Sequence, residues 1–292
     1  MRELVILSGK GGTGKTTVVA SFAHLVERKV VVDADVDAAN LELVLSPQVK
    51  EKHEFKGGKL AIIESVLCTA CGRCAEVCRF QAVMDGNDGY LIDPLTCEGC
   101  AVCYYECPSE AIRLEEPVSG HWFISDTPYG PLVHAQLRPA EENSGKLVAQ
   151  VKGEARRLAR EQGFDYLIVD GPPGIGCPVI AATAGADLAL LVTEPTVAGV
   201  HDLERILSTT AHFGVPALVC INKYDLNPQV SRAIMEGCAA RGLPLVGSIP
   251  FDEAVTEAMV QGEPVVSYSQ GPASQAMEHL WRETKGFLDQ AR

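Results

Sequence analysis

Gly9-Lys10-Gly11-Gly12-Thr13-Gly14-Lys15-Thr16 stands between an apolar run, Glu3–Leu7, and a helical pattern, Thr16–Glu27. The pattern is G-x-x-x-x-G-K-T, placed after a strand and before a helix, which is the context a phosphate-binding loop requires. Glycines let backbone N–H groups turn inward around phosphate oxygens, and the helix N-terminus adds partial positive charge. Lys15 is placed to reach β- and γ-phosphates, and the Thr16 hydroxyl to ligate Mg²⁺. The expected ligand of Gly11, Gly12, Thr13, Gly14, Lys15, Thr16 and Thr17 is therefore ATP with Mg²⁺.

Working outward, Val30–Asp33 reads as a second buried strand ending in acids, followed by a helical stretch to about residue 57. Beyond residue 117, Tyr166–Val169, Leu188–Val192, Ala217–Ile221 and Leu245–Ile249 read as further buried strands separated by amphipathic helices. Short apolar strands alternating with helices imply an α/β fold, a mostly parallel sheet with helices on both faces. The chain has 292 residues, 47% hydrophobic, with a formal net charge of −13. That charge argues against a nucleic-acid partner or a polybasic membrane anchor. No secretory leader is visible and no uninterrupted apolar stretch is long enough to span a bilayer, so a cytoplasmic protein is expected.

Residues 58–116 break the pattern. Eight of the eleven cysteines fall there, with ten acidic residues against four basic ones. A chain of residues 1–57 alone is too short to bury a core, so 1–57 and 117–292 read as one domain, with 58–116 inserted after the Gly57-Gly58 hinge. Scattered disulfides are disfavoured in a reducing compartment, and the clustering points to metal. The segment also repeats itself: Cys68, Cys71, Cys74 and Cys78 recur 29 positions later as Cys97, Cys100, Cys103 and Cys107.

The segment Lys10–Thr17 resembles the deviant P-loop of the MinD/ParA superfamily, which includes the nitrogenase iron protein and Mrp-type ATPases. The resemblance implies an ATPase that closes as an ATP-dependent homodimer, with Lys10 reaching the partner's nucleotide. Asp33-Ala34-Asp35-Val36-Asp37 resembles the family's first switch, whose aspartate orients the attacking water. Position favours Asp35, with Asp33 and Asp37 left open. Asp170, ending Asp165–Gly174, resembles the Mg²⁺-side carboxylate of the second switch. Asn222 resembles the position that reads the adenine edge, and Pro250-Phe251-Asp252 the second adenine-side segment. Lys10, Lys15 and Asp35 are thus the expected catalytic groups.

The cysteine spacing, with Pro108 after the last, is that of two-cluster bacterial ferredoxins, where the fourth cysteine of each run serves the other cluster. Cys68, Cys71, Cys74 and Cys107 are expected to hold one [4Fe–4S] cube, and Cys97, Cys100, Cys103 and Cys78 the second. Tetrathiolate zinc also uses Cys-x2-Cys, but two complete four-cysteine runs fit it poorly. Arg79 stands where proline is usual, and a cation beside the second cube would raise its potential. Cys220 and Cys238 read as core packing. Cys177 follows the second switch, where packing is the simpler reading. The tail Ala273–Arg292 balances three bases with three acids, as a docked helix does rather than a membrane anchor.

Three functions remain open. The first is an ATP-driven dimer switch coupled to electron transfer through two clusters, serving a redox partner. The second is an iron–sulfur or metallocofactor assembly and carrier ATPase. The third is a positioning switch with structural clusters. Nothing resembles an amidotransferase site, which excludes the diamide synthase chemistry sometimes attached to such chains.

Overall fold

A computed structural model describes residues 1–87, 89–138 and 144–291. The chain opens with β1 (Arg2–Ser8), α1 (Lys15–Leu25), β2 (Lys29–Asp33), α2 (Glu42–Leu45) and β3 (Gln48–Phe55). The cysteine-rich part contains β4 (Leu60–Ile63), α3 (Arg73–Val77), β5 (Val83–Gly86), β6 (Gly89–Ile92), α4 (Val102–Tyr105) and β7 (Ile112–Glu115). Then come β8 (Gly120–Thr127), β9 (Gly130–Leu137), α5 (Ser144–Glu161), β10 (Tyr166–Pro173), α6 (Cys177–Thr183), β11 (Leu188–Thr193) and α7 (Val197–His212). The chain continues through β12 (Ala217–Asn222), α8 (Pro228–Ala240), β13 (Leu245–Ile249), α9 (Glu253–Gln261), α10 (Val265–Tyr268) and α11 (Pro272–Gln290).

The described strands of the large sheet run in the order β13-β12-β11-β1-β10-β2-β9-β8-β3. Pairing is parallel from β13 across to β9. β2 and β11 are buried along their whole length and β1 beyond Arg2. Continuous apolar runs of this kind are what a parallel sheet covered on both faces demands. β1 lies between β10 and β11, so the glycine loop leaves its carboxyl end at the crevice where α/β sheets bind ligands.

Two parts of the sheet depart from the sequence reading. Residues 48–55, expected within a helical stretch, form the edge strand β3, and the helix is the single turn α2, which ends at left-handed Ser46. β8 and β9, two further strands, form a hairpin that the sequence reading did not separate. The edge explains the miss: β3 is exposed at most positions, so it carries charges on both faces and no apolar period. The tail is helical, as expected, and docked. Met277, Leu280 and Leu288 of α11 are buried, and Trp281 meets Phe22 edge-on at 5.1 Å and Tyr166 at 5.8 Å.

By contact density the chain divides into two compact units. One comprises Met1–His53, Trp122–Gln136 and the chain from Ser144 onward. The other comprises Glu54–His121 with the described residues from Leu137. In the second unit β4 pairs antiparallel with β7, and β5 with β6. The 29-residue repeat is visible in its elements: β4-α3-β5 recurs as β6-α4-β7, and each half lends a strand to the other.

Candidate functional site

The glycine loop is built by backbone geometry that only some residues allow. Gly12 and Gly14 have φ of 80° and 92°, in the left-handed region that glycine enters without penalty. At Gly14 a side chain is also excluded by space, because a Cβ there would lie 2.2 Å from Asn222 Nδ2. Lys15, the first residue of α1, is buried, as is Thr13. The Thr13 hydroxyl oxygen has no hydrogen-bond partner. Lys10 is 40% exposed and lies 3.7 Å from Glu194, a carboxylate that Lys223 also holds at 2.6 Å.

Two acids lie in the field of Lys15, Asp35 just beyond β2 and Asp170 within β10, and Asp33 stands beside Asp170. Asp33 and Asp170 are register partners in the parallel pair, and both are buried. The Asp33 carboxylate accepts the amides of Asp35 at 3.1 Å and Leu41 at 3.2 Å, which fastens the loop after β2. Burial, then the neighbouring Asp170 carboxylate, pushes its pKa well above the usual range. Asp170 Oδ1 has no partner. Burial raises the Asp170 pKa to about 6, against the opposing pull of Lys15 and the Thr16 hydroxyl. Burial also raises Asp35, with Lys15 opposing it and Asp37 adding to it. Asp37 is exposed. The three positions left open by the sequence thus differ: Asp33 is a structural clasp, Asp37 faces solvent, and Asp35 is half-buried within the field of Lys15.

This donor set fits a divalent cation and a polyphosphate. An unsatisfied buried carboxylate oxygen with a raised pKa, beside a threonine hydroxyl, gains most from a hard cation with oxygen ligands. The orphaned Thr13 hydroxyl and the amides of a glycine-rich loop are suited to phosphate oxygens. Gly171 keeps the second switch close to β1, since a Cβ there would lie 2.4 Å from Leu7 and 2.9 Å from the Ile6 carbonyl oxygen. The Gly174 amide donates to the Ser8 carbonyl at 3.0 Å. The second switch is therefore tied to the strand that launches the glycine loop.

The expected adenine-side residues have other engagements. Asn222 Nδ2 donates to the Thr13 carbonyl at 2.9 Å, and its oxygen accepts the Lys223 amide at 3.0 Å, so Asn222 braces the phosphate loop. Asp252 caps α9 through the Ala254 amide and ties α11 through the Ala273 amide. Phe251 is half exposed beside Pro250. Sequence reasoning passed over Glu194 altogether. Its signal was an acid directly after a buried strand neighbouring β1, a position that faces the loop.

The second unit presents its cysteines around two cavities. One is lined by Cys68, Cys71, Cys74 and Cys107. The other is lined by Cys78, Cys97, Cys100 and Cys103. Each cavity takes three thiols from one run and the fourth from the other. The backbone repeats with the sequence: Ala70, Gly72 and Gln81 have left-handed φ, and so do Gly99, Ala101 and Glu110, each 29 positions on. Four of these six are not glycine, and a non-glycine residue persists there only where the surroundings impose it. The amides of Ala82 and Ala111 donate to Cys78 and Cys107 Sγ at 3.4 and 3.3 Å.

Among the described residues, no three His, Cys, Asp or Glu converge tightly enough to chelate a single ion. Tetrahedral zinc would draw its thiolates in to about 2.3 Å from one centre. Four cysteines border each cavity, a donor set of the kind that tetrathiolate metal groups use. Arg79 is exposed and stands between Cys78 and Phe80, which both line the second cavity. Cys220 and Cys238 are buried, and burial lifts the Cys220 thiol to about 12, so both act as packing. Cys177 is exposed at the start of α6. No helix among the described residues is long and apolar enough to cross a membrane.

A glycine loop, a lysine at the head of its helix, and carboxylates from neighbouring strand ends define a P-loop ATPase. Comparison with known proteins gives the lineage. The CobQ/CobB/MinD/ParA nucleotide-binding domain profile matches residues 4–265, and the chain belongs to that family. An uncharacterized protein of Methanocaldococcus jannaschii is 32% identical over 289 residues, covering 98% of this chain and 97% of that one. The septum site-determining protein MinD of Bacillus subtilis is 27% identical, covering 97% of this chain and 88% of the relative. Among solved structures, MinD of Pyrococcus horikoshii complexed with Mg-ADP superposes with a TM-score of 0.57 at 18% identity, over 100% of this chain and 98% of that one. The cell division ATPase MinD of Pyrococcus furiosus gives 0.56 at 21%, over 98% and 99%.

Proposed function

We propose that this ATPase is a nucleotide-driven switch whose inserted segment, residues 58–116, is a ferredoxin-like module for two [4Fe–4S] clusters. The carrying observation is the division of the eight cysteines between two cavities, four to each, with the fourth ligand exchanged between runs. Cys68, Cys71, Cys74 and Cys107 hold one cluster, and Cys97, Cys100, Cys103 and Cys78 the other. Such clusters supply one-electron transfer. Gly11 to Thr17 cradle ATP, the Thr16 hydroxyl and Asp170 hold Mg²⁺, and Asp35 orients the water. The Mg-ADP complex of the Pyrococcus horikoshii relative supports the cation.

In this reading ATP closes a homodimer, Lys10 leaves Glu194 for the partner's phosphates, and the change gates electron delivery to a redox protein in the cytoplasm. The insert leaves the sheet after β3 and returns to it at β8; β2, which carries Asp33, precedes it in the chain and β10, which carries Asp170, follows it, with α2, β3, β8, β9 and α5 between. The resemblance to MinD also supports a positioning switch in which the clusters are structural. Iron analysis of anaerobically reconstituted protein tests the first half. About eight iron per chain, with the absorption and EPR of cubes, is expected from eight ligands at four per cube. Stoichiometric zinc without iron would refute it. Reduction potentials measured without nucleotide, with ADP and with a non-hydrolysable ATP analogue separate the two readings: a nucleotide-dependent shift marks the redox switch, and constancy the positioning one.

A further inference from the structure

The two thiol cavities follow one backbone plan, so residues 29 positions apart occupy matching places. Four matched pairs lining the cavities differ in polarity, among them Tyr90 in the first against Ala61 in the second. Thr69 lines the first cavity where Glu98 lines the second. Arg73 matches Val102, and Ser109 matches Phe80. Of these, Ser109 acts directly: its hydroxyl lies 3.6 Å from Cys107 Sγ. A thiolate bound to iron has no proton to give, so the hydroxyl must be the donor. The Tyr90 ring also borders the first cavity, and its hydroxyl lies 3.1 Å from where a Gly72 Cβ would stand. Arg73 is held by Glu76 and Glu106, so its charge is already neutralised.

The second cavity has the opposite character. Phe80 and Val102 border it, backed by Val83 and Ile92, and the charged group on its rim is the Glu98 carboxylate. A hydrogen bond donated to a ligand sulfur draws charge from it and favours the added electron, whereas apolar walls and a carboxylate oppose further negative charge. One matched difference opposes this: exposed Arg79, next to Cys78, stands where Pro108 borders the first cavity, and its cation favours reduction at the second, whereas the Ser109 donor and the apolar lining act the other way.

We propose that this polarity difference ranks the two clusters: the one held by Cys68, Cys71, Cys74 and Cys107 takes the first electron, and the one held by Cys78, Cys97, Cys100 and Cys103 takes the second at lower potential. The inference rests on the two-cluster reading above. With clusters bound, an electron from an external one-electron donor would settle at the first cavity, where Ser109 is the positioning donor.

The test is an anaerobic potentiometric titration of reconstituted full-length protein, with dithionite as reductant, followed by EPR. Two resolved one-electron steps are expected. Ser109→Ala should lower the upper step and leave the lower one, by about tenfold in the one-electron equilibrium, or ~59 mV. Phe80→Ser should raise the lower step alone, and Ser109→Thr, which keeps the hydroxyl, should resemble the unaltered protein. A single two-electron wave with eight iron bound overturns the ranking while leaving the clusters standing. So does a Ser109→Ala shift confined to the lower step. Should Ser109→Ala lose iron, the Phe80→Ser titration decides: movement of the upper step refutes the assignment. Protein that binds no iron at all defeats the two-cluster reading, and this inference with it.

Discussion

The sheet unit and the cysteine unit keep their shape by different means. In the first, β2 and β11 are buried from end to end, and one apolar cluster runs from Leu4 and Phe22 through Leu190 to Leu280 and Leu288. In the second, the buried cluster consists of Ala61, Cys74 and Ile112, edged by partly buried Ile63, Val83, Tyr90, Ile92 and Leu114. Large hydrophobic side chains there face outward instead: Val66, Leu95 and Tyr105 are 97%, 81% and 80% exposed. A unit of this size with so small a core needs a metal or a covalent staple. The sheet unit carries a continuous buried core, whereas the cysteine unit, on the proposed reading, would be held by what its thiols bind.

That contrast can be broken most forcefully by withholding metal from the eight cysteines proposed to bind it. Metal bound only by the folded state contributes folding free energy, on the order of 10 kcal/mol for structural zinc in small domains. Hydrogen exchange of iron-free protein should show residues 58–116 unprotected and β1, β2, β10 and β11 still slow. Protection of both units alike would remove the distinction.

Within the sheet unit the largest single liability is Glu3. It is buried and pairs with Lys152 at 2.8 Å and Arg156 at 2.5 Å. Burial lowers the Lys152 pKa and Glu3 opposes this, so removing Glu3 leaves a buried cation without a counter-charge. Glu3→Ala should cost about 3–5 kcal/mol in chemical denaturation. The cluster spectra should survive in the fraction that remains folded.

The two loop lysines should separate by role. Lys15→Ala removes a buried cation facing the phosphates and should weaken ATP binding by roughly 10- to 100-fold, the range for a charge-assisted hydrogen bond. Lys10→Ala should leave binding by calorimetry nearly intact and depress ATP-dependent dimerisation and hydrolysis. Normal turnover by Lys10→Ala would remove the lysine from the interface.

A smaller effect follows from Asp170. Its folded pKa, about 6, stands above the ordinary 3.8. The unfolded chain therefore loses this proton first, and ionising the folded group as pH rises from about 4 through 6 costs stability. A cation needs the carboxylate form, so Mg²⁺-nucleotide affinity should be flat above about pH 7 and fall toward pH 5, by up to tenfold per unit where one proton is displaced. Calorimetry in two buffers should detect the released proton, and Asp170→Asn should abolish that release. A pH-independent affinity would show that the cation sits elsewhere.

Much of this was legible in the sequence because the chemistry is local. The glycine loop spans eight residues, each cysteine run spans eleven, and the buried strands of a parallel sheet are continuous apolar runs. Three things were hidden because they depend on distant residues. The edge strand β3 carries Val49-Lys50-Glu51-Lys52 and no apolar period, and only pairing makes it a strand. Asn222 braces a carbonyl 209 positions away, which its Asn-Lys context does not announce. Asp33, Asp35 and Asp37 read alike in sequence, and only burial and the Leu41 amide separate the clasp from the group near Lys15.

If nucleotide and cluster states are linked as proposed, reciprocity makes the link measurable from the nucleotide side. If ATP favours one arrangement of the cluster module, cluster reduction must change ATP affinity by the same factor that ATP changes the reduction equilibrium. Anaerobic titration of ATP and ADP against oxidised and dithionite-reduced protein, at fixed Mg²⁺, should give affinities that differ between redox states by about 5- to 150-fold for at least one nucleotide, a coupling of roughly 1–3 kcal/mol. Identical affinities in both redox states, for both nucleotides, would contradict the account and leave the inserted module without a thermodynamic connection to the ATPase.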